Sequence, residues 1–199
     1  MSVQTSKPKR TRDPESKRAA LHAAALRQFT EKGYEHVSIA SIAKEADIAV
    51  GTVYRFYENK LFLLRAMLES IEHDFVQQMQ EDWSRGGAYE DRLDAVCQGL
   101  FDIAKDRSAY LKLFTMTTDL VYEDGALPGD RIQDQIKQMY QEGMEQGAFR
   151  NGDLHMMSSM AHGLVEGAMM RWMRMGHKAT DIASKDLAGV MKYGFLTPG

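Results

Sequence analysis

Cysteine is almost absent from this chain. The single Cys97 among 199 residues excludes an intramolecular disulfide and any multi-cysteine metal site, and it gives no sign of an oxidising compartment; it reads as a small core residue. Proline is nearly as scarce, at four residues, which leaves most of the chain free to be helical. No apolar run approaches the roughly 20 residues that cross a bilayer, and the Lys/Arg-rich start lacks the apolar stretch of a secretory signal. A cytoplasmic protein without a membrane partner is therefore expected. Period-2 strands, internal repeats and low-complexity tracts are missing too. So are the paired Glu-x-x-His motifs of di-metal bundles, a nucleophile elbow, a phosphate loop and a zinc motif. The chain is accordingly expected to be no enzyme, with no catalytic residue, metal or cofactor.

What is present is ordinary in amount and uneven in placement. Apolar residues make up 44% and charged residues 27%, enough for a soluble domain with a substantial core. Fourteen methionines point to adaptable helical packing. The net charge is −3, yet residues 1–65 carry a net +5 and residues 66–199 a net −8. Positive charge gathered at one end suits a phosphate partner, and the acidic remainder would be repelled by it.

Along the chain, Lys7, Pro8, Lys9, Arg10 and Arg12 lack apolar periodicity, and residues 1–12 read as a flexible basic arm. Asp13 is a good N-cap, Pro14 suits the first helical position, and Leu21, Ala24, Ala25 and Phe29 keep helical spacing up to a stop at Gly33. Ser38 can cap a second helix through Ile39, Ile42, Ala43 and Ala46; a third short one, about Val50 to Tyr57, puts Val53 and Tyr57 on one face. Three helices this short must share a core to persist. Asn59 can cap a long helix carrying Leu64, Met67, Leu68, Ile71, Phe75 and Met79, broken by Gly86-Gly87. Further helices are expected at about Tyr89 to Asp106, Ala109 to Val121, Arg131 to Gln146, Leu154 to Met175 and Asp181 to Phe195, with turns such as Gly125 to Gly129. The fold expected is all-α: a helix-turn-helix domain over residues 13–58 and a larger helical domain over 59–199.

Two short helices joined by a tight turn, the second with an exposed polar face, have the geometry of a major-groove reader. From the Leu21/Ala24/Ala25/Phe29 helix with Gly33-Tyr34, through Ile42-Ala43 and Gly51-Thr52-Val53-Tyr54, to Lys60 and Leu63, the chain resembles the TetR family of bacterial repressors. The resemblance implies that Ser38 and Tyr54 contact phosphates and that Thr52 and its exposed neighbours, Val50 among them, face base edges. It also implies that Lys60 anchors a phosphate at the next helix's start. Hydroxyls suit phosphate oxygens, and Gly51 lets the backbone come close to DNA. Arg55 can reach either guanine or phosphate. Two departures stand out. Asp47 replaces the family's usual turn glycine and Ala49 its usual serine cap, a loss that typically costs ~1 kcal/mol.

For the larger domain the resemblance implies an effector cavity between the middle helices, and helix position picks out Phe114, Met116, Tyr140, Met144, Met169 and Trp172. Methionine and aromatic walls fit a small hydrophobic effector. His155, His162 and Glu166 recur on one side of their helix as candidate polar anchors. Met157, Met160, Leu164, Ala168 and Trp172 are read as one face of that helix, and with Ile182, Leu187, Val190 and Met191 of the last helix they resemble the family's four-helix homodimer interface. The function expected is a ligand-responsive repressor that binds palindromic operator DNA as a dimer and is released by its effector. The alternative is a helical ligand-binding or protein-interaction module without specific DNA binding.

Overall fold

Asp13 caps the first helix as its chemistry suggests: the carboxylate accepts from the Ser16 amide at 2.8 Å and Pro14 opens α1 (Pro14–Lys32). This computed structural model of the chain describes residues 13–122, 129–176 and 180–197; the basic arm, most of the Gly125–Gly129 turn and the side chain of Ile182 lie outside the described residues. After Gly33 and a 3-10 turn at Tyr34–His36 come α2 (Ile39–Glu45), α3 (Val50–Phe56), α4 (Lys60–Ser84), α5 (Tyr89–Asp106), α6 (Ser108–Tyr122), α7 (Asp130–Glu145), α8 (Leu154–Arg174) and α9 (Thr180–Phe195). Asn59 caps α4 by accepting from the Leu61 and Phe62 amides. Among the described residues the one pairing of extended backbone outside helices is an isolated antiparallel bridge, Phe149 with Leu196. The fold is all-α, as the periodicity predicts.

The chain divides into two compact units, Met1–Arg65 and Ala66–Gly199. In the first, Leu21, Ala24, Ala25 and Phe29 of α1 close on Ile42 and Ala43 of α2 and Val53 of α3, all fully buried. Helices of seven residues such as α2 and α3 hold no stable turn alone, so this shared burial is what forms them. A polar lock adds to it. The buried amide of Gln28 donates to the Ser41 carbonyl at 3.1 Å and to Glu45 Oε2 at 2.6 Å, and accepts from Ser41 Oγ at 2.7 Å. These hydrogen bonds, followed by those from Arg27, hold the Glu45 carboxyl below the usual carboxylate range.

In the second unit one apolar cluster runs through α4, α5, α7, α8 and α9. Glu142 ties three elements at its edge: it accepts from Trp83 Nε1 at 2.7 Å, Arg92 at 2.9 Å and the Tyr89 hydroxyl at 3.4 Å. The buried face of α8 is Ser158, Ala161, Val165, Met169 and Trp172, whereas Met160 and Leu164 are exposed. The face expected to meet a partner helix is thus split: Met160 and Leu164 are exposed, Met157 and Ala168 pack against the core, and Trp172 is buried. A helix apolar on nearly all sides carries no period that selects which side turns inward.

Close approach at the end of α7 depends on Gly143, where a Cβ would lie 2.6 Å from the Phe149 ring. Phe149 is itself locked between Tyr140, Trp83 and Tyr89, with ring centroids 4.9, 6.1 and 5.5 Å away. Gly143→Ala should therefore destabilise the protein by about 1–3 kcal/mol through overpacking. Thermal unfolding with an unchanged midpoint would contradict this packing.

Candidate DNA-binding and effector sites

The tight turn of the helix-turn-helix is Ala46 to Ala49, and Asp47 supplies its left-handed residue at φ 57°. Glycine takes that conformation freely; aspartate is among the few other residues that tolerate it. Ala49 begins α3 with extended backbone, φ −64° and ψ 136°, and no side-chain cap. Both departures noted in the sequence are thus accommodated at their expected positions. Val53 and Tyr57 turn inward and leave Val50, Gly51, Tyr54 and Arg55 exposed, with Thr52 half-buried. The spacing therefore assembles the candidate DNA-contact residues of α3 on one outward surface.

Ser38 and Lys60 do additional work inside the unit. Ser38 Oγ accepts from the Ser41 amide at 3.1 Å while Ser41 Oγ accepts from the Ser38 amide at 3.3 Å, a reciprocal capping box that starts α2. Lys60 Nζ donates to the Tyr34 carbonyl at 2.8 Å and the Val37 carbonyl at 3.1 Å, and it sits 4.1 Å from the centre of the Tyr34 ring. Two of its three donors are therefore committed to the segment that delivers Ser38 to α2. Sequence reasoning missed this strut because its partners lie 26 and 23 residues upstream, beyond any local pattern.

Another tie that sequence reasoning missed joins α1 to the end of α3, where His22 Nε2 and the Tyr57 hydroxyl are 2.8 Å apart. Burial, followed by the nearby Arg18 cation, holds the His22 imidazole below its ordinary value of 6.5.

The second unit contains an apolar cavity of about 110 Å³. Leu68, Ile71 and Phe75 of α4, Leu100 of α5, Leu111 and Phe114 of α6, Ile132 of α7 and Val165 and Met169 of α8 form its walls. Glu72, His162 and Glu166 are its ionisable lining residues. Gly129, with φ 102°, closes one side against His162, whose ring would lie 3.0 Å from a Cβ there. Of the six effector candidates, Phe114 and Met169 line this space; the other four do not. Met116 is exposed, and Met144 packs against the edge of the core. Tyr140 is core, edge-on to Phe195 at 4.9 Å, and Trp172 is buried edge-on to Phe101 at 5.6 Å. Of the three polar anchors, His162 and Glu166 line the cavity and His155 does not. The wall from α4 was missed because residues 68, 71 and 75 have the i, i+3, i+7 spacing of any core-facing stripe. Among the described residues no group of three His, Cys, Asp or Glu could hold a metal, and no helix is long and apolar enough to cross a membrane.

A helix-turn-helix with its polar face outward, joined in one chain to a helical unit with an apolar cavity, defines the class of helix-turn-helix transcription regulators. Residues 21–67, the helix-turn-helix segment and the start of α4, match the family of bacterial regulatory proteins, tetR family. The fatty acid metabolism regulator protein of Bacillus subtilis is 24% identical over 159 residues, covering 75% of this chain and 79% of that one. The HTH-type transcriptional repressor KstR of Mycolicibacterium smegmatis is 26% identical over 175 residues, covering 86% and 84%. Both relatives are regulators. In fold, the chain is similar to the transcriptional regulator FadR of Bacillus subtilis, solved with stearoyl-CoA: TM-score 0.74 at 20% identity, covering 88% of this chain and 98% of that one.

Two outcomes test this site. Arg55→Ala should weaken DNA binding, and flatten its salt dependence by about one unit of log–log slope if Arg55 meets phosphate, with unfolding unchanged. Lys60→Met should instead destabilise the fold by roughly 1–3 kcal/mol, because two charge-assisted hydrogen bonds are lost. Denaturation and DNA retardation of both variants separate the roles.

Because the folded chain holds the His22 imidazole below its ordinary value of 6.5, the unfolded chain binds more protons and folding stability falls as pH drops through and below about 6.5. His22→Gln should flatten that acid-side loss, measured as unfolding midpoints from pH 7.5 down to about 5.

Proposed function

We propose that this chain is a TetR-family, ligand-responsive repressor: two copies bind a palindromic operator, and a small, largely apolar effector in the cavity releases them. The observation that carries this reading is the cavity itself. Its walls are mostly apolar, and four of its lining residues, Leu68, Ile71, Glu72 and Phe75, belong to the helix that begins at Lys60. A ligand that shifts those side chains acts on a helix whose first residues belong to the DNA-binding unit. The stearoyl-CoA in the related fold is a molecule with a long apolar body, which is in keeping with such a cavity.

Dimerisation is supported by the outer faces of α8 and α9. Met156, Met160 and Leu164 of α8 and Val190 and Tyr193 of α9 are exposed, with Tyr193 at 86%. A Cβ at Gly163, Gly167 or Gly189 would meet no atom within 4 Å, so a partner helix can come close along this strip. Leu187 and Met191, expected at the interface, are buried within their own chain. Two helix-turn-helix units related by a two-fold read half-sites about one turn apart, near 34–36 Å. Ser38, Tyr54 and Lys60 are assigned to phosphates, and Val50, Gly51, Thr52 and Arg55 to the groove.

Effector and operator must then oppose each other through one linkage cycle. Effector affinity, measured by titration calorimetry, should fall in the presence of operator by the same factor by which effector weakens DNA binding. Equal effector affinity with and without operator, alongside effector-induced loss of DNA, would refute the two-state reading. Tighter effector binding on operator would make the effector a co-repressor.

A further inference from the structure

Helix α1 meets the end of α3 through two side chains one turn apart. His22 Nε2 and the Tyr57 hydroxyl are 2.8 Å apart, and four residues before His22 the guanidinium of Arg18 lies over the Phe56 ring, 5.1 Å from its centre. The first contact ties α1 to the buried side of α3. The second is at the surface: Arg18 is exposed, and among the described residues no hydrogen bond or ion pair engages its guanidinium. Arg27, further along α1, is by contrast paired with Glu45 at 2.8 Å. A guanidinium that lies over a ring face keeps its N–H edge free to donate.

The winding of α3 places this cation relative to the reading face. At about 100° per residue, the inward turn of Val53 and Tyr57 puts Arg55 near the centre of the outward side. Tyr54 then falls on one flank of Arg55. Thr52 and Phe56, four residues apart and one above the other, fall on the opposite flank. Both are half-buried, as residues on the border between the inward and outward sides should be. The major groove is about 12 Å wide with a sugar-phosphate backbone along each edge, so a helix lying in it turns one flank to each strand. On one flank the Tyr54 hydroxyl is available to phosphate. On the other, the last turn of α3 presents the Phe56 ring, which has no donor. Arg18 lies over that ring.

Resting on the reading of α3 as the element that enters the groove, we propose that Arg18 is a further DNA-binding residue. It is a phosphate clamp that α1 supplies to the Phe56 flank of the recognition helix, and Phe56 is the platform that positions it. The planar fork of donors matches two oxygens of one phosphate. Contact with the ring holds the side chain in place before DNA arrives, which lowers the cost of ordering it on binding. A phosphate carries no base information, so the clamp adds affinity without altering preference among sequences.

The test uses the full-length protein and a duplex of about 30 base pairs, three turns of DNA, enriched from a random-sequence library by repeated retardation. A scrambled duplex of the same composition serves beside it. Arg18→Gln should weaken binding on the order of tenfold at about 0.1 M salt. The log–log salt slope should become shallower by about 0.9 for each clamp lost, about 1.8 in a dimer. Preference for the selected duplex and the unfolding midpoint should both stay unchanged. Lys32→Gln removes the same charge from the other end of α1, about 21 Å away, and should alter the slope far less. Phe56→Leu keeps the cation but removes its platform; it should weaken binding in the wild-type background and add nothing to Arg18→Gln. The proposal is overturned if Arg18→Gln leaves affinity and slope unchanged, if Lys32→Gln flattens the slope as much, if the preference between duplexes collapses, or if Phe56→Leu and Arg18→Gln act additively. In each of those cases the DNA-binding reading stands. If the wild-type protein enriches no duplex and binds none, that reading and the proposal fall together.

Discussion

A single carboxylate joins the cavity to the helices around it. Glu72 of α4 receives the amides of Gly129 and Arg131 at the start of α7, a helix whose own N-cap is a glycine with no side chain to offer. The orphan donors of that helix end are satisfied from another element, and the negative charge sits at the favourable end of the helix dipole. Gly129 also presses on His162 of α8. One hydrogen-bonded contact thus fixes the relative placement of α4, α7 and α8 on the side of the cavity where its acidic residues gather. Displacing Glu72 would loosen all three together.

The DNA-binding unit follows similar logic on a smaller scale. Its helices are too short to persist alone, and the apolar core they share is built partly of alanines that bring backbones close but bury little area each. Polar ties make up the difference. Gln28 clasps α2, Lys60 clasps the segment before it, and His22 meets the last residue buried behind α3. None of these ties uses Val50, Gly51, Tyr54 or Arg55, so the outward face of α3 stays free of structural duties. Arg55 and Tyr54 can answer to DNA alone.

How much of this was legible in the sequence depended on the range of the interaction. Caps at Asp13, Ser38 and Asn59 and the breaks at Gly33 and Gly86-Gly87 are local chemistry, and the helices they bound fall within a residue or two of expectation. The outward residues of α3 follow from the inward turn of Val53 and Tyr57, again a matter of spacing. The cavity was half read. Phe114 and Met169 were found from helix position, but Tyr140 and Trp172 have the same composition signal and are ordinary core. Whether a large side chain borders a void or fills one depends on partners far away in sequence: Tyr140 is filled in by Phe149 and Phe195. Lys60 carries the same lesson for charge, since nothing adjacent to it reveals the carbonyls it holds.

The start of α3 has a kinetic consequence. Ala49 offers no cap, and Asp47 holds a left-handed turn that glycine would take at lower cost. With its first amides unmet by any side-chain cap, the start of α3 is held by packing, Val53 being its fully buried residue. Phosphate oxygens arriving at that end would supply the missing acceptors. Were such contacts to form, part of the binding free energy would go into ordering the start of α3, a cost that would show in residence time more than in the rate of encounter.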